Sequence, residues 1–117
     1  MTEPTVRYTI NETNGTTLVR VIGELDLMTV PTLDRLLAEV ERPDLRRIEL
    51  DLHEVTFVDS TGISLFIDLH RAAEGDGRTL VLTQLTPAIA RVLEITGLLA
   101  ELTAGDDDSP PPLGSPR

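Results

Sequence analysis

Four consecutive residues, Asp59-Ser60-Thr61-Gly62, could hold or receive a charged group. They lie between an apolar segment and a run with helical spacing, so we expect them to begin a helix. An Asp or Ser there caps the helix, and Gly62 allows close packing. The same position suits a phosphate, because a Ser hydroxyl projects outward and free amides and the helix dipole stabilise an anion. Spacing alone does not choose between a structural cap and a modification site.

A second polar segment, Gly23-Glu24-Leu25-Asp26, follows a strand that we expect to end at Gly23. It is interpreted either as a polar turn between a strand and a helix or as part of a recognition surface. The second interpretation requires this loop and the Ser60 loop to emerge at the same edge of a sheet. Asp26 and Asp59 would then concentrate negative charge beside Ser60.

The residue types and their spacing give little evidence for a catalytic site or a metal site. Ser60 lacks the flanking glycines of a nucleophile elbow, and His53 and His70 are the two histidines that could act as its base. We expect His70 to be a partly buried structural histidine and His53 to be a solvated loop residue. The histidines and carboxylates show no HExxH-type spacing. We therefore predict no catalytic residue, no metal ligand and no cofactor.

Composition restricts the location and the partners. The formal charge is −10, all of the basic residues are arginine, and no cysteine is present. Such a charge repels phosphate backbones, so we expect no direct nucleic-acid binding. The chain has no apolar run of the roughly 18 residues that a membrane span needs, and its first residues lack the features of a signal peptide. We therefore expect a cytoplasmic protein that does not bind a membrane.

The remaining elements alternate between strand and helix signals. We predict a hairpin from two strands joined by the turn signal Asn11 to Gly15, then a helix capped by Thr29 and ended by Pro43. A strand with one apolar face follows, and later a helix capped by Thr86. The predicted strands span residues 5–10, 16–22, 47–52 and 79–82, and the central helix spans about 61–74. This order predicts an α/β domain with a mixed sheet.

The central helix and the end of the chain carry further expectations. Ile63, Phe66 and Ile67 form the apolar stripe that we expect to face the core, whereas Leu65 and Leu69 lie off it and serve as flank packing or as a partner face. We predict one domain over residues 1–103. Residues 104–117 are acidic and rich in proline, and we expect them to form a disordered tail.

Several segments together resemble a known family. The chain is similar to a STAS domain over about residues 5 to 102, and the anti-sigma factor antagonists of bacterial partner switching are the most similar branch. The resemblance is carried by Val21-Ile22-Gly23-Glu24-Leu25-Asp26-Leu27, Ile48-Glu49-Leu50-Asp51-Leu52, the segment from Val55 to Ile63, Thr86-Pro87, and the segment from Val92 to Leu98. Each segment alone is a weak signal, and their combination in this order is specific.

The resemblance implies a STAS-like mixed β-sheet covered on one side by helices. It implies a protein that binds, when unphosphorylated, an anti-sigma factor that is also a serine kinase, and thereby releases the sigma factor. Phosphorylation of Ser60 by that kinase would inactivate the protein, and a separate serine phosphatase would reactivate it. The residues expected to bind the partner are Glu24, Asp26, Asp59, Thr61, Gly62 and Ile63.

One departure from the family and three alternatives stay open. Family members usually continue with another strand, whereas this chain becomes acidic soon after Leu102, so a final strand is expected to be short or absent. The first alternative function is a STAS accessory subunit of a membrane transporter complex, in which binding matters and phosphorylation does not. A small-molecule sensor ranks lower, since no phosphate cradle is present, and an enzyme ranks last.

Overall fold

The computed structural model describes residues 6–40 and 43–104, and these form a four-stranded mixed sheet with helices. The strand order is β1-β2-β3-β4, with β1 antiparallel to β2 and the other neighbours parallel. The elements are β1 Val6–Thr13, β2 Thr16–Leu25, α1 Val30–Glu39, β3 Arg47–Val58, α2 Ser60–Gly75, β4 Thr79–Thr83, α3 Pro87–Ile95 and α4 Leu99–Thr103. The predicted α/β class and mixed sheet are confirmed.

One face of the sheet carries the core. Val19 and Val21 of β2, together with Leu50 of β3 and Leu82 of β4, are fully buried on that face. The helices cover it with a matching set of apolar side chains: Leu33, Leu36, Leu37, Leu65, Phe66, Ile89, Leu93 and Leu102. The alternation that put apolar residues on one side of each strand therefore identified the covered face.

The hairpin is tighter than its sequence predicted. β1 continues to Thr13 and pairs with Thr16, so the loop consists of Asn14 and Gly15 alone. Both have positive φ, 48° and 82°, which is the requirement of the two-residue turn that Asn-Gly sequences favour. The expectation of a turn starting at Asn11 was wrong because this pair closes the turn by itself.

β2 and β3 are also longer than predicted. Gly23 does not end β2: it lies inside the strand with φ of +117°, next to a shift in the β2–β3 register, and the strand continues to Leu25. Glycine permits this irregularity because it has no Cβ. β3 likewise continues through His53 to Val58, so His53 is an exposed strand residue and not a loop residue.

The residues of α2 that face the core differ from the predicted apolar stripe. Its buried residues are Gly62, Leu65, Phe66, His70 and Ala73. Leu65 is thus a core residue, which corrects its placement off the stripe, and Leu69 is partly buried against the core. Ile63, which was predicted to face the core, is also partly buried against it, whereas Ile67 is half-buried and is not part of that cluster.

The end of the described chain is a helix. No strand follows Leu102 within residues 6–40 and 43–104; Leu102 lies in α4, which ends at Thr103, and it is fully buried. The predicted tail lies, from residue 105 onward, outside the described residues, so the boundary of the domain at residue 103 stays a prediction. None of the described helices is long and apolar enough to cross a membrane.

Gly62 fixes the contact between α2 and the sheet. A Cβ at this position would lie 2.9 Å from Val58 Cγ1, 3.1 Å from the Leu25 carbonyl oxygen and 3.2 Å from Leu25 Cβ. The valine is stiff and the carbonyl belongs to a paired strand, so neither can yield without moving the backbone. The absence of a side chain lets the first turn of α2 pack directly on the ends of β2 and β3. The close packing that the sequence predicted at Gly62 is therefore present.

Gly62→Ala should lower the free energy of unfolding by about 1–3 kcal/mol, the usual cost of overpacking. Gly75→Ala is the matched control, because a Cβ there meets nothing within 4 Å. It should leave the stability unchanged or raise it by about 0.5–1 kcal/mol. Urea denaturation of both variants measures the difference, and an equal effect of the two substitutions would contradict the proposed contact.

His70 joins α2 to β4. Its side chain is buried, and Nδ1 donates to the Leu80 carbonyl oxygen at 3.0 Å. On its other side, Nε2 lies 3.5 Å from the Glu74 carboxylate. The expectation of a structural histidine is confirmed, and the ring is more completely buried than we expected.

His70→Ala should lower the free energy of unfolding by about 2–4 kcal/mol, since it leaves a cavity and removes a buried hydrogen bond. His53→Ala provides the comparison, because that side chain is exposed on β3 and its loss should change stability by less than about 0.5 kcal/mol. Chemical denaturation monitored by circular dichroism checks both values. Similar stability losses in the two variants would overturn this role for His70.

Candidate functional site

The site lies where two parallel strands end side by side. Leu25, the last residue of β2, pairs with Val58, the last residue of β3. The next residue along, Asp59, donates its N–H to the Leu25 carbonyl oxygen at 3.0 Å. Asp26 and Asp59 therefore both leave the sheet at this edge, which satisfies the condition set for a shared recognition surface.

Asp59 is the N-cap of α2. Its backbone is extended, and one carboxylate oxygen accepts from the N–H groups of Thr61 at 2.8 Å and Gly62 at 3.2 Å. The helix begins at Ser60, whose side chain is exposed. Of the two capping residues that the sequence allowed, the structure selects Asp59, so Ser60 is not needed as a cap.

This cap corrects one expectation about Ser60. We expected free amides at the start of α2 that could bind a phosphate. Two of the first amides, those of Thr61 and Gly62, instead donate to the Asp59 carboxylate. A phosphate on Ser60 would have to displace that carboxylate to reach them, so the local backbone does not offer a ready anion site.

Asp26 makes similar hydrogen bonds in the turn that precedes α1. Its carboxylate Oδ1 accepts from the N–H groups of Met28 at 2.9 Å and Thr29 at 3.1 Å. The Thr29 hydroxyl donates to the Glu24 carbonyl oxygen at 2.5 Å and accepts from the Asp26 N–H at 3.0 Å. Thr29 is the N-cap residue of α1, as predicted, but its side chain makes no cap hydrogen bond to the helix. It ties the loop to β2 instead.

The predicted site residues differ in accessibility. Glu24 and Ser60 are exposed, and Asp26, Asp59, Thr61 and Ile63 are half-buried. Gly62 is buried against Leu25 and Val58, so it cannot present a surface to a partner and acts through packing. The structure brings all seven residues to one end of the sheet.

Three exposed apolar residues in the same segments were missed. Leu27 and Met28 are 70% and 67% exposed, and Phe57 is 49% exposed. Leu27 and Met28 occupy the turn after β2, and Phe57 pairs with Glu24 one residue before the strand ends. Two consecutive apolar residues in a predicted polar loop were the signal that could have identified them. We call Leu27, Met28, Phe57 and Ile63 the apolar patch.

The charge around the apolar patch is negative. Residues 23–29 and 55–64 contain Glu24, Asp26 and Asp59 and no arginine. Within the part of the chain that the structure describes, no group of three or more acidic or histidine residues could hold a metal ion. This end of the sheet therefore carries both exposed apolar residues and carboxylates, a combination that suits protein binding.

Comparison with known proteins agrees with this geometry. A family model described as "Mlab, STAS domain" matches residues 8–103. An anti-sigma-B factor antagonist of Staphylococcus aureus is 38% identical over 80 residues, which cover 68% of this chain and 74% of that protein. The chain is thus related to both over most of the described domain.

Solved structures show the same fold. An anti-sigma factor antagonist from Mycobacterium paratuberculosis superposes with a TM-score of 0.74 at 23% identity, covering 86% of this chain and 85% of that one. The Bacillus cell fate determinant SpoIIAA, solved in its phosphorylated form, superposes with a TM-score of 0.65 at 21% identity. The match covers 83% of this chain and 88% of that one. With the family match and the Staphylococcus aureus relative, the sheet and its helices establish that this chain belongs to the STAS-domain family of anti-sigma factor antagonists.

Proposed function

We propose that this protein antagonises an anti-sigma factor that is also a serine kinase. In its unphosphorylated form it binds that partner, so that a sigma factor is released. The partner inactivates it by phosphorylating Ser60, and a separate serine phosphatase restores the active form. The protein itself acts by binding and provides the substrate hydroxyl for its partner's chemistry.

The position of Ser60 carries this proposal. Ser60 is the exposed first residue of α2, and the Asp59 cap and the Gly62 packing hold the backbone around it. A kinase needs an accessible hydroxyl at a defined place, and here the hydroxyl is presented by a rigid element and not by a mobile loop. The phosphorylated form of SpoIIAA, a protein with the same fold, is consistent with a phosphate in this family.

The apolar patch supplies the binding energy in this account. Leu27 and Met28 leave most of their side-chain area in water, and burying such groups against a partner is favourable by about 25 cal/mol per Å². We propose that the apolar patch, Glu24 and Thr61 contact the partner. Asp26, Asp59 and Gly62 act indirectly, since they hold the two loops in place.

Phosphorylation would oppose this binding for two reasons. The phosphate adds about −1.5 to −2 charges beside Glu24, Asp26 and Asp59. The helix amides nearest to it already donate to Asp59, so the charge stays directed toward the partner. Burying an unpaired charge in an interface costs several kcal/mol, and a loss of about 3 kcal/mol weakens binding by more than about a hundredfold.

Incubation with ATP and the anti-sigma kinases of the same genome tests the proposal. We expect one kinase to transfer a single phosphate to Ser60, located by mass spectrometry, because this hydroxyl is exposed beside the binding surface. Ser60→Ala should abolish the transfer. Ser64→Ala, which removes an exposed hydroxyl one turn further along α2, should leave it intact. A phosphate that persists in Ser60→Ala, or the absence of transfer from every kinase, would contradict the proposed role of Ser60.

A charge substitution separates binding from folding. Ser60→Asp should bind the kinase partner at least about tenfold more weakly than the unphosphorylated wild type does. This factor corresponds to a binding free energy of about 1.4 kcal/mol. Its melting temperature should stay within a few degrees of the wild type, because an acidic residue in the first turn is favoured by the helix dipole. Calorimetric titration and thermal denaturation measure the two effects.

Asn11→Asp is the charge-matched control for this experiment. Asn11 is exposed on β1 and pairs with Leu18, near the start of β2, at the opposite end of that strand from the site. The added charge there should leave partner binding unchanged. If Ser60→Asp unfolds the protein, or if both variants bind equally well, Ser60 is structural or lies outside the interface.

A second candidate function is a STAS accessory subunit of a membrane transporter complex. It is favoured by one observation, the description of the matched family model as "Mlab, STAS domain". In that function the apolar patch would bind a transporter subunit and Ser60 would not be modified. Tight binding to a transporter ATPase, with no phosphate transfer from any anti-sigma kinase, would support this alternative against the first.

A further inference from the structure

We propose that the outer edge of β1 pairs with β1 of a second copy of this chain, so that two sheets join across a two-fold axis. This inference is independent of the proposed function. Among the described residues, β1 is an edge strand with β2 as its sole neighbour. All but the first of its eight residues are exposed, including Tyr8 at 45% and Ile10 at 39%. An edge with exposed apolar residues is a template for strand pairing.

The hairpin determines which backbone groups are available at this edge. Thr13 and Thr16 flank the two-residue turn and pair with each other, and in such a hairpin the flanking residues exchange both of their hydrogen bonds. Because hydrogen-bonded positions alternate along an antiparallel pair, the odd-numbered residues of β1 direct N–H and C=O toward β2. The residues that direct theirs outward are Val6, Tyr8, Ile10 and Glu12.

This alternation restricts the register of a symmetric pair. A two-fold axis perpendicular to the sheet keeps each face on its own side, and outward groups must meet outward groups. The arrangement centred on Thr9 satisfies both conditions and pairs Tyr8 of each copy with Ile10 of the other. It also uses the full strand from Val6 to Glu12, whereas an axis at Tyr8 or at Ile10 leaves one end of the strand unpaired.

Side chains favour the same register. Ile10 and Tyr8 stand opposite Val19 and Val21, which are fully buried, so the paired Tyr8 and Ile10 side chains would continue the apolar face of the sheet from one copy to the other. Aromatic and β-branched residues are favourable cross-strand partners. The apolar face of the sheet, which ends at the exposed Tyr8 and Ile10 in one copy, would thus continue into the second copy.

Charge allows this pairing despite the net charge of −10. β1 carries one positive residue, Arg7, near its start and one negative residue, Glu12, near its end. In the two-fold arrangement Arg7 lies opposite the partner's Asn11 on one face of the sheet, and Glu12 lies opposite the partner's Val6 on the other face, so like charges do not face each other. The charges of the strand therefore do not oppose the pairing.

The dimer should be weak and should leave the candidate site accessible. One strand edge is smaller than the roughly 800 Å² per partner of a standard interface, so we expect a dimer at high micromolar protein concentrations. Ser60 follows β3, which is separated from β1 by β2. Joining the β1 edges therefore leaves the apolar patch available.

Cysteine crosslinking tests the register directly, because the chain contains no cysteine of its own. At the axis, the two Thr9 residues form a non-hydrogen-bonded pair with Cα atoms about 4.5 Å apart, which lies within the range for a disulfide. Thr9→Cys should give disulfide-linked dimers rapidly under mild oxidation. Asn11→Cys is the control, since its two copies lie four residues apart along the strands, about 13 Å, and should crosslink at least tenfold more slowly.

Sedimentation velocity from about 10 µM to 1 mM, a range that brackets a weak pair, tests the same surface without a crosslink. Ile10→Lys should abolish the concentration-dependent dimer. Ile95→Lys, which changes an isoleucine that is 73% exposed on α3, should keep it. A wild-type monomer throughout this range, together with equal crosslinking rates at positions 9 and 11, would overturn the proposal. Loss of the dimer in Ile95→Lys alone would place the interface on α3 and overturn it as well.

Discussion

The parallel pairing of β2 with β3, continued to Leu25 and Val58, is the contact on which the site depends. Because both strands run in the same direction and end in register, the residues that follow them leave the sheet together. The Asp59 N–H extends the pairing by one more hydrogen bond to Leu25. Gly62 then brings α2 against the same two residues, without the Cβ that would force the helix away. The position of Ser60 is thus set by backbone contacts that its own side chain does not make.

The charged and the apolar residues at this end of the sheet have different roles. The Asp59 carboxylate accepts from amides in the first turn of α2, and such donors have no intrahelical partner. The Asp26 carboxylate accepts from amides of the turn before α1. Leu27, Met28 and Phe57 are exposed in the same two segments. In the proposed function, these apolar side chains and carboxylates would favour a partner when Ser60 is unmodified and would oppose it once a phosphate adds to the existing negative charge.

Much of the fold could be predicted from local sequence. The Asn14-Gly15 turn, the alternation of β3 and the Pro87 start of α3 each have a strong local signal, and the structure contains all three elements. The length of β2 could not be predicted, because Gly23 is a strand breaker by propensity and a bulge residue here by virtue of its pairing with β3. In α2, apolar residues surround more than one face, so periodicity allowed two rotations of the helix. The contact of Gly62 with Leu25 selects the rotation that buries Leu65, and that contact is not visible in the sequence of the helix.

The candidate site, too, could be predicted only in part from the sequence. The motif residues were identifiable from the family pattern, but spacing alone did not select their hydrogen bonds: Asp59 proved to be the cap of α2, and Thr29 ties its loop to Glu24. Hydrogen–deuterium exchange of the protein, alone and bound to the proposed kinase partner, tests most directly whether the edge formed by β2 and β3 is the docking surface. The account predicts that protection on binding is confined to peptides covering residues 23–29 and 55–67. Protection that instead appears on β1 or on α3, with these two segments unchanged, would contradict it.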